Sequence, residues 1–505
     1  MSKKRDSAVP RISTGGRAEG GLVVGRVILV SNRLPVSMRR SEGRMALVPS
    51  SGGLVAGLSP LHDSDDSLWI GNLGAGDEAD VVDQLRVLRF VDVDVPAEAG
   101  RRFYNGFSNG VLWPVLHHFI ETFELDERDY EGYKRVNERF AEVVARHAHS
   151  SEDSRIWIHD YHLMLLPQLI RRQAPNARIG FFLHTPFPPA EIFEVVPAAS
   201  ELLRSLAEAD VIGVQTKDYA HHLVRTFRRE LGEARVDERR SRAGRCRIEV
   251  HPIGVDACSL AARAGSSAVA NRLEQWHRRV AGRKVILGVD RLDYTKGLPM
   301  RFGAFRELLE TDGRWANEAV FIQVAVPTRN GVRAYRRLKE EVERRVGEIN
   351  GRHARGGRVP LWYLYRGVSP EELSALYRLA DVLLVTPLRD GMNLVAKEYV
   401  ASRLDDSGAL VLSRFAGAAN ELREAFFVNP WDEKGTAKTL AMALEVDGRE
   451  QRSRMRSMRR RVIEHDALRW GHDFIDSLGG DGRRAPSHSP AIASPAAGPE
   501  AVSGS

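Results

Sequence analysis

The sequence predicts an α/β protein made of two doubly wound domains that face each other across a cleft. The chain has 505 residues, too many for one ordinary hydrophobic core, and this length suits two α/β domains. Short apolar runs with strand character recur along it, with helical patterns between them. This alternation is typical of parallel sheets that carry helices on both faces. A Pro/Gly break at residues 251–255 separates two series of such runs and predicts the domain boundary.

The elements follow in chain order. Residues 1–21 are polar, Gly-rich and aperiodic, and predict a disordered tail. The strands predicted for the N-terminal domain, 22–256, are 27–30, 156–158, 179–183 and 211–214. Those predicted for the C-terminal domain, 257–453, are 284–289, 319–326, 361–365 and 382–385.

The C-terminal end carries one more helical pattern. Residues 454–478 predict one long helix, within a segment 454–479 that packs back across the domains. Its apolar stripe is Met455, Met458, Val462, Ile463, Trp470 and Phe474. Residues 480–505 are rich in Ser, Pro, Ala and Gly, which predicts a second disordered tail.

Composition indicates a cytoplasmic enzyme. Hydrophobic residues make up 43% and charged residues 28%, as in soluble globular proteins. No apolar run reaches the ~18 residues of a membrane helix, and no apolar segment of a signal peptide follows the basic N-terminus. The two cysteines, Cys246 and Cys258, make neither a disulfide framework nor a zinc pattern, which suits a reducing compartment. We therefore expect no membrane partner.

The net charge of +7 does not indicate a nucleic-acid partner. The first 20 residues contribute five basic and two acidic side chains, and basic residues elsewhere alternate with acids. A small anionic substrate would also suit a basic protein. The sequence leaves open whether the chain forms a homo-oligomer.

Two glycines, Gly52 and Gly53, open a predicted helix after a loop. Glycines let the backbone approach a ligand closely, and a helix N-terminus favours an anion. Such short motifs also occur in plain turns, so either interpretation holds for these two residues alone.

Histidines and an acid follow two of the predicted strands. His159, Asp160 and His162 come after strand 156–158, and His184 ends strand 179–183 in a Pro-rich loop. Asp160 could bind sugar hydroxyls, or it could only cap a helix. These four side chains are also possible metal ligands, but their spacing does not match a known zinc motif.

Two cations follow the first strand of the C-terminal domain. Arg291 and Lys296 lie in a loop that enters a predicted helix. Cations there suit a diphosphate and could stabilise the charge that builds on a departing nucleotide. The alternative is a pair of surface cations.

The stretch 387–398, PLRDGMNLVAKE, follows strand 382–385. Gly391 allows a tight turn, after which the backbone N–H groups of residues 392–395 would face the cleft at a helix start. Glu398 could hold ribose hydroxyls, as acids do in other nucleotide-binding folds. The alternative is a helix cap followed by an exposed acid.

Together these motifs resemble the trehalose-6-phosphate synthase family, retaining glycosyltransferases whose two Rossmann-like domains form the GT-B fold. The most specific stretches are TPLRDGMNLVAKEYV, GVDRLDYTKGL, FFLHTPFPP and FSNGVLWP, in the family's order. The resemblance covers residues 27–478 and includes no phosphatase-like domain. It implies a stand-alone synthase that transfers glucose from a nucleotide sugar, UDP-glucose by default, to glucose 6-phosphate. It implies retention at the anomeric carbon, no cofactor and no metal.

The resemblance also implies residue roles. The donor-binding residues would be Gly52, Gly53, His184, Arg291, Lys296, Asp390, Gly391, Met392, Asn393, Leu394, Val395 and Glu398. The acceptor-binding residues would be Arg33, Tyr104, Trp113, Asp160 and Arg329. The residues implied for catalysis are Arg291, Lys296, Asp160, His184 and Asp390.

One position departs from the family pattern. The family commonly reads Trp-x-Gly-Trp, whereas this chain reads WIGN, with Asn72 in place of the second tryptophan. This puts the exact acceptor in question and does not affect the donor motifs. Two other functions also stay open for the chain as a whole. One is a related transferase of the glucosylglycerol-phosphate synthase type. The other is a hydrolase or epimerase of the same fold.

Overall fold

A computed structural model describes residues 27–41, 44–50, 52–64, 67–74, 79–148, 154–232, 236–237, 242–243, 246–329 and 332–479. The tails predicted at 1–21 and 480–505 lie outside these residues, as does Ser51 in the first glycine motif.

The N-terminal domain is built on one large sheet. The strands are β1 (Val27–Arg33), β2 (Val36–Ser41), β3 (Arg44–Pro49), β4 (Ser67–Asn72), β5 (Phe90–Asp92), β6 (Arg155–His159), β7 (Arg178–Leu183), β8 (Val211–Val214), β9 (Val236–Asp237), β10 (Arg242–Ala243) and β11 (Cys246–Val250). Strands β2 and β3 form a separate antiparallel hairpin. Within the described residues the sheet has the order β5-β4-β1-β6-β7-β8-β11-β10-β9. It is parallel from β5 to β11, and β10 and β9 add an antiparallel edge.

The helices of this domain are α1 (Gly53–Ser64), α2 (Ala79–Val87), α3 (Ala97–Arg101), α4 (Trp113–Leu116), α5 (Glu127–Ala148), α6 (Leu166–Gln173), α7 (Ala190–Phe193), α8 (Ala199–Leu206) and α9 (Lys217–Leu231). A π-helical segment covers Arg102–Leu112, and short 3-10 turns cover Ile120–Thr122 and Tyr161–Leu163.

The C-terminal domain repeats the plan with a parallel sheet. Its strands are β12 (Lys284–Arg291), β13 (Ala319–Val326), β14 (Leu361–Leu364), β15 (Val382–Val385), β16 (Ala409–Ser413) and β17 (Phe426–Val428). In the described part of the chain their order is β14-β13-β12-β15-β16-β17. Its helices are α10 (Ala257–Ala264), α11 (Ser267–Val280), α12 (Leu298–Thr311), α13 (Trp315–Glu318), α14 (Arg333–His353), α15 (Pro370–Leu379), α16 (Leu394–Ser402) and α17 (Glu433–Glu445). Two further helices, α18 (Gly448–Glu464) and α19 (Ala467–Gly479), follow at the C-terminal end of the described chain. Two 3-10 turns cover Tyr294–Lys296 and Gly417–Asn420.

The predicted fold class is confirmed. Every predicted strand occurs, and β8, β13 and β15 match their predicted bounds residue for residue. These strands are buried on both faces of a parallel sheet, so their sequences are continuous apolar runs that are easy to recognise. Parallel strands all end at the same edge of a sheet. Loops from both domains therefore meet where the carboxyl ends of the two sheets face each other.

The prediction of one long helix at 454–478 is wrong. Two helices, α18 and α19, meet there at His465 and Asp466. The Asp466 carboxylate accepts a hydrogen bond from the backbone N–H of Arg469 over 2.9 Å, which caps a new helix. The chain also crosses Gly254 here, where a Cβ would come within 2.3 Å of Asp466. The break lets α18 pack on α16 while α19 packs on α1.

The predicted apolar stripe is correct except at one position. Ile463 is 46% exposed, whereas Met455, Met458, Val462, Trp470 and Phe474 are buried. Phe474 stacks on Trp157 of β6 with ring centroids 4.5 Å apart, so α19 completes the core of the N-terminal domain.

Candidate active site

The predicted site residues gather at the facing edges of the two sheets. In the N-terminal domain, Arg33 ends β1, Asp160 follows β6 and His184 follows β7. In the C-terminal domain, Arg291 ends β12 and the stretch 387–395 follows β15. Residues far apart in sequence thus share one cleft because their strands are parallel.

The two predicted diphosphate cations differ in environment. Lys296 lies in the turn before α12, and its Nζ donates to Asp390 Oδ2 over 2.6 Å. Although burial favours the neutral acid, the charge of Lys296 keeps the pKa of Asp390 below its ordinary value. The Arg291 side chain is 44% exposed and lies 3.9 Å from Asp293. Arg291 is therefore the cation that is more available to a ligand.

The segment Gly391–Val395, called here the donor loop, is tightly packed between the domains. Its Asn393 has φ 79° and caps α16, because Asn393 Oδ1 accepts from the Ala396 N–H over 3.2 Å. A Cβ on Gly391 would lie 1.9 Å from the carbonyl oxygen of His184. The helix start predicted at this loop is confirmed, and Gly391 is required by close backbone contact.

The two glycines at the start of α1 lie near the same loop. Gly53 is the first residue of α1, and the Gly52 carbonyl accepts from the Ala56 N–H over 2.9 Å. A Cβ at Gly53 would lie 3.1 Å from Leu394, across the cleft. The glycine motif of one domain therefore lies against the donor loop of the other.

Glu398 lies on α16, beyond the donor loop, and is half-buried. Burial raises the pKa of Glu398, and the hydroxyl of Tyr377 donates to its Oε2 over 2.7 Å. The alternative of an exposed acid is thus wrong. The structure places this carboxylate where it can accept from hydroxyl groups.

Four of the five predicted acceptor residues form two pairs, each with an arginine over an aromatic ring. The Arg33 guanidinium lies 4.7 Å from the centroid of Tyr104, and Tyr104 stacks on His162. The Arg329 guanidinium lies 4.0 Å from the centroid of Trp113. Arginine on an aromatic ring keeps its planar donors aligned, which suits phosphate oxygens.

Three side chains that sequence reasoning missed hold Arg329 in place. Its guanidinium donates to Asp293 Oδ2 over 3.2 Å and to the hydroxyl of Tyr161 over 3.2 Å. The hydroxyl of Tyr335 also pairs with Arg329 and donates to Asp293 over 3.1 Å. Burial would raise the pKa of Asp293, but the neighbouring cations, with Arg329 first, lower it to about 2. Asp293 is one of two acids in the motif GVDRLDYTKGL, and its place in that motif is the sequence signal that could have identified it.

Asp160 connects two strand ends instead of capping a helix. It has φ 76°, and its Oδ1 accepts from the backbone N–H of His184 over 3.3 Å. Burial raises the pKa of Asp160 to about 6, against hydrogen bonds and the charge of Arg329 that lower it. A backbone held in this rare conformation is common at functional sites.

The ring of His184, predicted to contact the donor sugar, has a polar neighbour at each nitrogen. Its Nε2 lies 3.2 Å from His159 Nδ1, and its Nδ1 lies 3.5 Å from Gln215 Nε2. The main chain of His184 lies against the donor loop, because its carbonyl oxygen faces Gly391. Gln215 is a further residue that sequence reasoning missed.

Asn72 ends β4 and pairs in register with Arg33. Its Nδ2 donates to the Val93 carbonyl over 2.7 Å. Asn72 thus neighbours Arg33, a predicted acceptor residue, and its amide is hydrogen-bonded to the backbone.

Neither a metal-binding cluster nor a membrane-spanning helix occurs in the described residues. Within them, no three His, Cys, Asp or Glu side chains are grouped so that they could hold a metal ion. Across the same ranges, no helix has the length and apolar character needed to span a membrane.

Comparisons with known proteins find similar chains over most of this sequence. The profile of glycosyltransferase family 20 matches residues 25–479. A trehalose-6-phosphate synthase of Mycolicibacterium smegmatis is 40% identical over 491 residues, which cover 95% of this chain and 97% of that protein. An α,α-trehalose-phosphate synthase (UDP-forming) of Dictyostelium discoideum is 39% identical over 461 residues. The match covers 90% of this chain but only 62% of the Dictyostelium protein.

Solved structures agree with these relatives. A Burkholderia xenovorans α,α-trehalose-phosphate synthase in complex with glucose 6-phosphate has a TM-score of 0.80 and 35% identity, covering 90% of this chain and 100% of that one. An Escherichia coli protein bound with UDP-2-fluoro glucose has a TM-score of 0.79 and 34% identity, covering 90% and 98%.

Proposed function

This chain belongs to glycosyltransferase family 20, and we propose that it transfers glucose from UDP-glucose to glucose 6-phosphate, giving α,α-trehalose 6-phosphate. The family assignment confirms the resemblance seen in the sequence motifs. The proposed substrates agree with the relatives, one of which is named UDP-forming and another of which was solved with glucose 6-phosphate.

One observation supports a site for two phosphorylated substrates. The ring of Trp113 lies 5.4 Å from the guanidinium carbon of Arg291 and 4.0 Å from that of Arg329. One cation belongs to the proposed donor side and the other to the proposed acceptor side. Asp293 Oδ2 lies 3.9 Å from the Arg291 guanidinium and 3.2 Å from that of Arg329, so both cations belong to one cluster that could bind anionic groups of both substrates.

We assign the donor to the C-terminal domain and the acceptor mainly to the N-terminal one. Arg291 and Lys296 would hold the diphosphate, the donor loop would hold the glucose, and Glu398 would hold the ribose. Arg33, Tyr104 and Asp160 would bind glucose 6-phosphate, together with Arg329 from the C-terminal domain. Gly52 and Gly53 would close on the donor from the start of α1.

The reaction we propose proceeds with retention. The nucleotide leaves from the face that the acceptor hydroxyl attacks, and the leaving phosphate takes the hydroxyl proton. Arg291 and Lys296 stabilise the charge that builds on that phosphate. The domains hold both sugars in reacting geometry and exclude water, which would otherwise hydrolyse the donor. No cofactor or metal is part of this proposal.

We also place this reaction in the cytoplasm. Cys246 and Cys258 are both free cysteines, and Cys258 is exposed. Unpaired thiols of this kind suit a reducing compartment.

A matrix of donors and acceptors tests the function. UDP-, GDP- and ADP-glucose would each be incubated with glucose 6-phosphate, glycerol 3-phosphate or no acceptor, and the products identified by NMR. We expect α,α-trehalose 6-phosphate from UDP-glucose and glucose 6-phosphate. A β linkage, or a product made only with glycerol 3-phosphate, would contradict the proposal. Donor consumption without an acceptor would instead favour the hydrolase or epimerase alternative.

A further inference from the structure

Both backbone polar groups of Ile253, in the segment that joins the domains, are held by buried side chains from opposite domains. The Ile253 N–H donates to Gln215 Oε1 over 2.9 Å. The Ile253 carbonyl accepts from Lys397 Nζ over 2.6 Å. Gln215 follows β8 and is 2% exposed, while Lys397 lies on α16 and is 1% exposed. Residues 251–255, which join the domains and are called here the hinge, are thus linked to a strand end of one domain and to the helix that follows the donor loop of the other.

This contact determines how the Gln215 amide is oriented. A backbone N–H can only donate, so the Gln215 atom that faces Ile253 is the carbonyl oxygen Oε1. The amide nitrogen Nε2 then faces the other way, towards His184 Nδ1 at 3.5 Å. Because an amide nitrogen is only a donor, His184 Nδ1 is the acceptor in this pair.

The orientation of the amide in turn determines the tautomer of His184. Burial lowers the pKa of His184 to about 3, so the imidazole is neutral and carries one proton. Since Nδ1 accepts, that proton lies on Nε2, which is 3.2 Å from His159 Nδ1. The ring of His184 is therefore held at both ends, by Gln215 on one side and by His159 on the other.

The backbone of His184, whose ring is bound by Gln215 and His159, makes two contacts of its own. The carbonyl oxygen of His184 lies against Gly391, where a Cβ would come within 1.9 Å. The backbone N–H of His184 donates to Asp160 Oδ1 over 3.3 Å. Small rotations of the ring would therefore be transmitted to the contact between His184 and the donor loop.

We propose that Gln215 is a positioning residue for glucosyl transfer, which fixes the Nε2–H tautomer of His184 and joins its position to the hinge at Ile253. Gln215 acts through His184 and does not touch the substrates. The inference rests on the proposed function for its activity measurements, and on the hydrogen-bond geometry and burial of His184 for the tautomer.

The first test removes the amide but keeps the shape of the side chain. Gln215→Met can neither accept from Ile253 nor donate to His184. We expect kcat/KM for UDP-glucose to fall about ten- to a hundredfold, the scale of a small misplacement at a reacting centre. KM for glucose 6-phosphate should change less than about twofold, because Arg33 and Arg329 do not depend on Gln215. Gln168→Met, on α6, is the matched control. Wild-type kcat/KM in a folded Gln215→Met would overturn the proposal.

The second test uses pH and applies even if the methionine variant does not fold. In Gln215→Glu, the new carboxyl and His184 can share one proton, and in that state His184 keeps its Nε2–H. Once the proton is lost, the carboxylate takes the Nδ1–H of His184, and Nε2 can no longer donate to His159. Activity relative to wild type should therefore fall as pH rises. Titratable groups that contact His184 or Ile253 in the described residues include His159, Asp160 and Lys397, and Lys397 pairs with Glu421. All four are present in both proteins.

A control separates this effect from a general effect of charge. Gln168→Glu adds the same acid on α6 and should show a pH profile parallel to that of wild type. A Gln215→Glu profile that is also parallel to wild type would overturn the proposal.

The tautomer can be measured without any activity. In protein labelled with ¹⁵N-histidine, the imidazole shifts of His184, assigned with His184→Asn, should report Nε2–H in wild type. At high pH they should report Nδ1–H in Gln215→Glu. Nδ1–H in wild type would overturn the inference about Gln215. A wild-type protein that makes no trehalose 6-phosphate would contradict the proposed function and leave this measurement to decide on Gln215.

Discussion

Lys296 and Asp390 form a nearly buried ion pair in the cleft, with Lys296 Nζ 2.6 Å from Asp390 Oδ2. Their side chains are only 12% and 13% exposed. Asn393 of the donor loop also donates to Asp390 Oδ2 over 3.0 Å. The cation proposed to hold the diphosphate is thus coupled, through one carboxylate, to the loop proposed to hold the sugar.

Removing either proposed diphosphate cation should strongly lower kcat. Arg291→Ala and Lys296→Ala should each lower kcat by more than about 10²-fold, the effect of one lost electrostatic contact at a reacting centre. Lys296→Ala should also lower the free energy of unfolding by about 3 kcal/mol, since Asp390 loses its partner. Steady-state kinetics and denaturant unfolding measure both effects. Lys284→Ala, which removes an exposed ion pair, is the control. Turnover within a few-fold of wild type in both cleft variants would refute the assignment, and EDTA should have little effect.

Gly391→Ala tests whether catalysis needs the close contact between the donor loop and the His184 carbonyl. A methyl group there would lie 1.9 Å from the His184 carbonyl, so the two domains would have to move apart. We expect kcat to fall about 10²-fold or more, because a displacement near 1 Å is enough for such a loss. Gly313→Ala, where a Cβ meets nothing within 4 Å, should retain full activity. A fully active Gly391→Ala enzyme would show that this contact is not needed for catalysis.

Acceptor binding should weaken in acid because of Asp160. Burial raises the pKa of Asp160 to about 6, so the carboxylate that we propose accepts from sugar hydroxyls is neutralised as pH falls through that value. We expect KM for glucose 6-phosphate to rise about tenfold between pH 7.5 and pH 5. The substrate phosphate also titrates near pH ~6. Asp160→Asn provides the comparison, because it retains the substrate effect alone. Identical pH profiles for the two enzymes would contradict this role.

Asn72→Trp tests whether position 72 lines the acceptor site. A tryptophan offers a flat apolar face worth roughly 0.5–1.5 kcal/mol to a sugar ring, so KM for glucose 6-phosphate should fall several-fold. The KM for UDP-glucose should not change. The variant loses the Asn72 hydrogen bond to Val93, so its melting temperature must be measured as well. An unchanged acceptor KM in a folded variant would place Asn72 outside the site.

The two C-terminal segments should differ in their effect on stability. Removing residues 480–505, which lie outside the described residues, should leave stability and activity intact, because that composition cannot form a core. Removing everything from Arg454 should unfold the protein, since Trp470 and Phe474 pack on Trp157. Phe474→Ala alone should lower the free energy of unfolding by about 3–5 kcal/mol. Unfolding caused by the shorter deletion would show that the predicted boundary is wrong.

The sequence by itself determined the fold class and most of the candidate site. The strands β8, β13 and β15 are continuous apolar runs, and the motifs after each strand lie at the expected edge of the sheet. A strand that is buried on both faces needs a continuous apolar run, so the sequence alone reveals it. A motif that directly follows a parallel strand must lie at the cleft edge of the sheet, so its place is also read from the sequence. The break between α18 and α19 was missed, because the apolar spacing continues on either side of Asp466 and the capping contact needs three dimensions.

Only the tertiary structure decided how the site residues are partnered. Asp293 holds Arg329 from 36 positions away, and Gln215 reaches Ile253 from 38 positions away. The sequence showed His184 at the cleft, but it could not show that the ring faces His159 while the carbonyl faces Gly391. Hydrogen bonds of this kind depend on distance and direction in space, and sequence spacing carries neither once the partners lie on different strands.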